Sequence, residues 1–157
     1  MFTFPENCKH VVLQPPTTTN SAITSDYIST KNAIKVWIEC VFKQAATHAT
    51  VLTIKEATAV AGTSADSITA AMPNWKNADI STSDTLVKGA DAATVTLTAG
   101  TTDQHVIVEV DPSILSADHD CICAYTSASS ESTNFVSIVA HILERYPQGT
   151  PPSAIVD

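Results

Sequence analysis

Apolar and polar residues alternate along several short segments of this chain. In residues 33–42, one parity carries the apolar side chains Ile34, Val36, Ile38, Cys40 and Phe42. The other parity carries the charged side chains Lys35, Glu39 and Lys43, together with Trp37 and Val41. Because successive side chains of a strand point to opposite faces, this pattern predicts a half-buried β-strand.

The same alternation returns in later segments, which are residues 51–56, 94–98, 105–110, 121–126 and 135–143. The last of these also fits a helix, but its β-branched residues favour a strand. Residues 11–13 fit an edge strand, and residues 73–77 fit a turn that buries Trp75. About eight short strands without a strongly amphipathic helix predict an all-β, jelly-roll-like two-sheet sandwich.

Prolines at both ends of the chain predict extended arms around this sandwich. Pro5, Pro15 and Pro16 disfavour regular structure in residues 1–25, and a second proline cluster lies in residues 145–157. We therefore expect an N-terminal arm over residues 1–25, a β-sandwich domain over 26–144 and an extended C-terminal tail over 145–157. Neither arm can bury a core alone, so we expect contacts with neighbouring subunits to order them.

Composition excludes several classes of partner. The 157 residues have a net charge of −8 with a single arginine, Arg145, so nucleic-acid binding, which depends on neutralising phosphates, is not expected. No apolar run approaches the length of a membrane span, and the first residues do not resemble a signal peptide. The four cysteines, Cys8, Cys40, Cys121 and Cys123, then indicate synthesis in a reducing cytoplasm.

The best candidate for chemistry is His119, Cys121 and Cys123, which share one strand parity and are all zinc ligands by type. Zinc requires a fuller ligand set, so we predict buried thiols and no metal. Histidines that could pair with a cysteine as a nucleophile–base couple carry no local signature; they are His10, His48, His105, His119 and His141. His141 lies on an otherwise apolar strand, which favours a hydrogen-bonded packing role. We predict no catalytic residues, no cofactor and no enzymatic activity.

Two tryptophans leave one further alternative open. Trp37 and Trp75 could stack against a sugar ring if both were exposed on one surface, whereas burial of both would argue against this. Packing favours Trp37 as cover for the outer side of its strand, or for an interface, and Trp75 as a core residue.

The order of several motifs resembles that of small virion proteins of tailed bacteriophages. These motifs are SDYISTKNAIKVWIECVF, the stretch from LTIKEATAVAGTS to NADISTSDTL, HVIVEVDPSIL, CICAYTSAS and ERYPQGTPPSAI. The resemblance implies a non-enzymatic structural role, in particular that of a jelly-roll decoration (cement) protein on the outer capsid surface. It also implies binding to the major capsid protein and self-association, with a homotrimer expected rather than a dimer.

Two alternatives to the decoration role remain open at this stage. The first is a head–tail connector or fibre-base subunit, and the second is a carbohydrate-binding module for adsorption to the host. Negative charge for solubility and repeated weak contacts on a symmetric shell are physically suited to a decoration subunit.

Overall fold

The computed structural model describes residues 4–98, 100–146, 149–150 and 152–155, and these residues form two antiparallel β-sheets. One four-residue helix, α1 (Phe4–Asn7), precedes the strands, and a 3-10 turn covers Pro112–Ile114. The strands are β1 (Cys8–Thr18), β2 (Ile23–Thr24), β3 (Ile28–Ser29), β4 (Ala33–Lys43), β5 (Thr50–Ala57), β6 (Asp66–Ser67), β7 (Asn74–Asn77), β8 (Val87–Lys88), β9 (Thr94–Leu97), β10 (Gln104–Val110), β11 (Cys121–Thr126) and β12 (Phe135–Glu144). Within the described part of the chain, no helix is long and apolar enough to cross a membrane.

The strand pairing has the topology of a jelly roll. Sheet A has the order β1-β12-β4-β10-β7-β8, and sheet B has the order β2-β11-β5-β6, with β3 on β11 and β9 on β5. We count β2 and β3 as one interrupted strand. The first strand of the chain then pairs with the last, and the following pairs form inward from both ends: β1 with β12, β2/β3 with β11, β4 with β10, and β5 with β9. This nested pairing is a long antiparallel ribbon rolled into two sheets, so the predicted jelly-roll-like sandwich is confirmed. Strands β6, β7 and β8 are additions at the sheet edges.

The hydrophobic core lies between the sheets, and β4 contributes to it as its sequence pattern predicts. Val36, Ile38, Cys40 and Phe42 are at most 1% exposed and belong to this core. Ile34 is the exception, at 46% exposed, while Ala33 is buried instead. A shift in the β12–β4 register between Leu143 and Glu144 accompanies this change of phase. A one-residue slip turns a side chain to the opposite face, which explains the exchange.

The predicted N-terminal arm is wrong for much of residues 1–25. β1 runs for 11 residues along β12 at the edge of sheet A, and its Leu13 is 1% exposed in the core. Pro15 and Pro16 are accommodated because the pairing shifts register between Gln14 and Thr17, and an edge strand needs hydrogen bonds on one side only. The prediction of an edge strand at residues 11–13 is confirmed.

The described part of the C-terminal tail packs on its own domain. The Ser29 amide donates to the Ala154 carbonyl oxygen at 2.8 Å, and Ala154 is 9% exposed within the core. The Arg145 amide donates to the Asn32 carbonyl oxygen at 2.8 Å. These contacts hold the described tail without a neighbouring subunit; residues 147, 148, 151, 156 and 157 of the predicted tail lie outside the described residues.

Two further predictions concern single segments. The strand over residues 135–143 is confirmed as β12, which pairs with both β1 and β4. The turn over residues 73–77 is wrong: residues Asn74–Asn77 form β7, which adds to β10. Trp75 consequently lies half-buried on the side of sheet A away from the core, opposite Ile107 of β10.

Candidate functional site

The side of sheet A that faces away from the core, here called the outer face, carries the densest set of ionisable and aromatic side chains. Cross-strand pairing aligns His10 with His141 and His141 with Trp37, and it aligns Trp37 with Glu109. Residues directly opposite one another on neighbouring strands are close enough for their side chains to interact. Four separate strands, β1, β12, β4 and β10, therefore place one continuous row of side chains across this face.

Glu39 lies at the centre of a histidine cluster on this face. His141 Nε2 contacts Glu39 Oε2 at 2.6 Å, and His141 Nδ1 contacts His10 Nδ1 at 2.9 Å. His105 Nε2 lies 2.9 Å from the other carboxylate oxygen of Glu39. We call these four residues, His10, Glu39, His105 and His141, the histidine cluster.

Close contacts within the histidine cluster shift the pKa values of Glu39 and His10. Burial raises the pKa of Glu39, but the hydrogen bond from His141 and the nearby imidazoles outweigh it, so this pKa falls below its ordinary value. The pKa of His10 is lowered by partial burial and by the neighbouring His141, with Glu39 acting in the opposite direction. Glu39 is therefore ionised near neutral pH, and His10 is harder to protonate than an isolated histidine.

A second ionic contact fixes Trp37 next to this cluster. The indole Nε1 of Trp37 donates to Glu109 Oε2 at 2.9 Å, and the Lys35 ammonium donates to Glu109 Oε1. The Lys35 hydrogen bond is the main cause that lowers the pKa of Glu109. Because both carboxylate oxygens already have partners within the chain, Glu109 is placed to orient Trp37 rather than to bind a ligand.

An open hollow of about 380 Å³ lies between the cluster and α1. Its lining is Phe4, Cys8, Trp37, Glu39, Ile107 and His141. Phe4 contacts His10 edge-on at a ring-centroid distance of 4.5 Å and lies 6.2 Å from His141. Most of the lining is apolar, so the hollow suits an apolar side chain better than a charged ligand.

Apolar side chains are grouped beside the cluster on the outer face, on β1, β4 and β12. Val12 is 62% exposed, Val41 is 40% exposed and Phe135 is 39% exposed. Val139 of β12 lies on the same face, directly opposite Val12 of β1 on one side and Glu39 of β4 on the other. We call these four residues the apolar patch. Contiguous exposed apolar surface on a folded domain is typical of a site of association.

The fold separates His119 from the other candidate zinc ligands, Cys121 and Cys123. Cys121 and Cys123 are fully buried in β11, whereas the ring of His119 lies in the preceding turn against the carbonyl oxygens of Ala117 (3.1 Å) and Ser64 (3.0 Å). Among the described residues, no group of three or more histidine, cysteine, aspartate or glutamate side chains has the geometry to hold a metal ion.

The thiols of the candidate cysteine–histidine pairs are buried. Cys40 lies in the core, as predicted, and burial strongly raises the pKa of its thiol. Burial also raises the pKa of Cys123 and, with a contribution from Glu144, that of Cys8. A thiol with a raised pKa is a poor nucleophile. His48 lies in the connection between β4 and β5, outside the histidine cluster.

His141 has the predicted hydrogen bond, but its partner Glu39 was not identified from sequence. The available signal was parity: Glu39 and His105 share a parity with other polar residues of their predicted strands, and His141 is the one ionisable residue on its parity in residues 135–143. Parity alone does not say which strands are neighbours, so the cluster required the sheet order.

Comparisons with known proteins leave the family open. No protein-family model matches this chain, and no curated protein sequence matches it. Similar solved structures include the SPBc2 prophage-derived protein YomS, which is 8% identical with a TM-score of 0.46, over 86% of this chain and 91% of that chain.

Two further solved structures align with this chain at lower TM-scores. The CBM22-1-GH10 modules of Clostridium thermocellum xylanase 10B, complexed with xylohexaose, are 5% identical with a TM-score of 0.35, over 93% of this chain and 28% of that chain. A protein in the structure of infectious bursal disease virus Gt strain is 17% identical with a TM-score of 0.26, over 90% of this chain and 37% of that chain. All three TM-scores are below 0.5, so these likenesses carry no argument about function.

Proposed function

We propose that this chain is a non-enzymatic structural protein of a phage virion that decorates the outer capsid surface and stabilises contacts between major capsid protein subunits. The apolar patch on the outer face of sheet A is the observation that carries the docking part of this proposal. The virion assignment is supported by the sequence resemblance described above. We further propose self-association as a homotrimer, because a three-fold position on a shell contacts three neighbouring capsomers at once.

The docking face is proposed to be the apolar patch rather than the terminal arms. Val12, Val41 and Phe135 are the members most open to solvent, and they lie on regular strands that hold them in fixed positions. A rigid surface loses little conformational entropy on binding, which suits many weak contacts repeated over a lattice. In contrast, the described tail is already packed against its own domain.

Two valines provide a matched test of this docking face. Val12 is 62% exposed on β1, and Val87 is 64% exposed on β8, at the opposite edge of the same sheet. Phage particles assembled without this chain are incubated with purified wild-type, Val12→Asp or Val87→Asp protein, and occupancy is measured after sedimentation. Burying a valine is worth about 1.5–3 kcal/mol, so Val12→Asp should weaken binding by at least about tenfold. Val87→Asp should stay within about twofold of wild type.

The cement role has its own outcome, separate from the docking face. Particles without this chain should form normally but release their DNA at a lower temperature or under milder osmotic shock. Equal loss of binding by both valine variants would refute the apolar patch as the docking face. Particles that are equally robust with and without the chain would refute the cement role and leave the connector or fibre-base role as the better account.

A second candidate, carbohydrate binding during adsorption, follows from the position of the tryptophans. Trp37 and Trp75 are both half-buried on the same outer face, and Lys88 lies 5.9 Å from the Trp75 ring centre. Titration of the protein with neutral oligosaccharides, followed by tryptophan fluorescence, tests this role. A saturable change that disappears in Trp75→Ala would support it, and no change with any sugar would reject it.

A further inference from the structure

We propose that His10, His141 and Glu39 form a proton-operated latch that holds α1 on the outer face of sheet A near neutral pH and releases it in mild acid. The latch is a property of the isolated chain and does not depend on the virion role proposed above. It rests on the hydrogen-bond geometry of the cluster and on the contact between Phe4 and His10.

The neutral cluster has one consistent arrangement of hydrogens. Ionised Glu39 can only accept, so His141 donates to it through Nε2–H at 2.6 Å. A neutral His141 then has a bare Nδ1, which can accept at 2.9 Å from the Nδ1–H of a neutral His10. Every nitrogen in these two contacts is satisfied without a net charge on either imidazole.

One added proton is compatible with the same geometry. If His141 becomes an imidazolium, both of its nitrogens donate, and Nδ1–H now points at His10. A neutral His10 can accept this bond after moving its own hydrogen to Nε2. The negative charge of Glu39 stabilises the new positive charge, so the first proton leaves the His10–His141 contact in place.

A second proton is not compatible with this geometry. When His10 and His141 are both imidazolium ions, each carries a hydrogen on Nδ1, and two donors face each other across 2.9 Å. Their ring centres are only 4.7 Å apart, so the two positive charges also repel. The pair must separate, and His10 is the member that can move because it lies on the exposed edge strand β1.

The other charged groups around the pair do not remove this conflict. β4 contributes Glu39, which His141 already occupies, and Lys35, which is bound to Glu109 of β10. β10 also contributes His105, whose Nε2 lies 2.9 Å from the other carboxylate oxygen of Glu39. From β1, Cys8 lies in the adjoining hollow as a buried thiol, while α1 carries an exposed Glu6. The lowered pKa of His10 means that it takes up a proton less readily than an isolated histidine does.

Movement of His10 is transmitted to α1 through the aromatic contact between His10 and Phe4. The Phe4 ring packs edge-on against His10 at 4.5 Å, and Phe4 is otherwise half exposed. α1 joins β1 directly and packs against it. When His10 turns away, Phe4 loses this contact and can leave the hollow that it lines beside Trp37.

Fluorine NMR on the full chain tests the latch directly. The protein is labelled with 4-fluorophenylalanine, and the signal of Phe4 among the four phenylalanines is assigned with Phe4→Leu. Between pH 7.5 and 5, the wild-type Phe4 signal should move to a solvent-exposed position with a midpoint below about pH 6.5. In His10→Gln, which cannot become charged, the signal should not titrate, whether it starts in the docked or the released position.

Two further variants separate the latch from a general effect of acid. His48→Gln removes a histidine outside the cluster and should leave the transition unchanged. Glu39→Gln removes the charge that favours imidazolium ions, so the transition should move to lower pH. A wild-type Phe4 signal that stays constant down to pH 5 would overturn the latch. So would a Phe4 transition that persists unchanged in His10→Gln.

Discussion

Replacing Leu13 with alanine tests whether β1 is a core strand of the sandwich or an arm. Leu13 is 1% exposed and packs in the core between the sheets. The substitution removes about three buried carbon groups at about 0.8 kcal/mol each and leaves a cavity in a rigid environment. We expect Leu13→Ala to lower the free energy of unfolding by about 3 kcal/mol. For a domain of this size, such a loss corresponds to a fall in Tm of roughly 6–12 °C.

The matched control is the neighbouring Val12→Ala, which changes a side chain that is 62% exposed on the same strand. Surface substitutions of this kind usually change stability by less than about 0.5 kcal/mol. Urea denaturation followed by circular dichroism gives both values, and the m-values should agree with wild type. Equal and small effects of the two variants would refute the assignment of β1 to the core.

Three further outcomes follow from individual contacts. Gly62 has φ +75° and lies so close to the Tyr27 ring that an added Cβ would sit 2.9 Å from Tyr27 Cε2, so Gly62→Ala should destabilise the fold by about 1–3 kcal/mol in thermal or urea denaturation. The carbonyl oxygens of Ala117 and Ser64 raise the pKa of His119, so the stability that its imidazolium contributes is fully present below the unfolded-state pKa near 6.5 and is lost as pH rises through the higher folded-state pKa. The Tm difference between wild type and His119→Gln should therefore be larger at pH 5.5 than at pH 8.5. A difference that does not change with pH would contradict this cause. The Lys35 hydrogen bond lowers the pKa of Glu109, so the stability contributed by ionised Glu109 is present above the unfolded-state pKa near 4.5 and is lost as pH falls through the lower folded-state pKa. Glu109→Gln should therefore be less stable than wild type at pH 7, and this difference in stability should become smaller in acid.

Alternation along single strands was sufficient to predict the class of fold and much of the core. In β4, the parity of Val36, Ile38, Cys40 and Phe42 identifies the buried face, and in β10 the same holds for alternate valines. This information is local because adjacent side chains of any strand must point in opposite directions. It fails at Ile34, the extra residue of β4 where its pairing with β12 shifts, and in β11, where five of the six residues are buried.

Prolines misled the prediction at the N-terminal end of the chain because their effect depends on the position of the strand. Pro15 and Pro16 would interrupt a central strand, but β1 lies at an edge and shifts its register around them. The sequence shows that the two prolines lack backbone N–H groups, whereas only the sheet order shows that no neighbouring strand would accept hydrogen bonds from these positions. Pro73 misled in a similar way, since β7 exists only because β10 offers a free edge.

The histidine cluster and the apolar patch were decided by tertiary structure alone. His10, Glu39, His105 and His141 are separated by tens of residues, and nothing in their spacing relates them to one another. They meet because β1, β12, β4 and β10 are neighbours in one sheet, in a register that aligns His10 with His141. The sequence by itself determined which face of each strand is buried, because that depends on local alternation; which strands become neighbours depends on long-range pairing between segments distant along the chain.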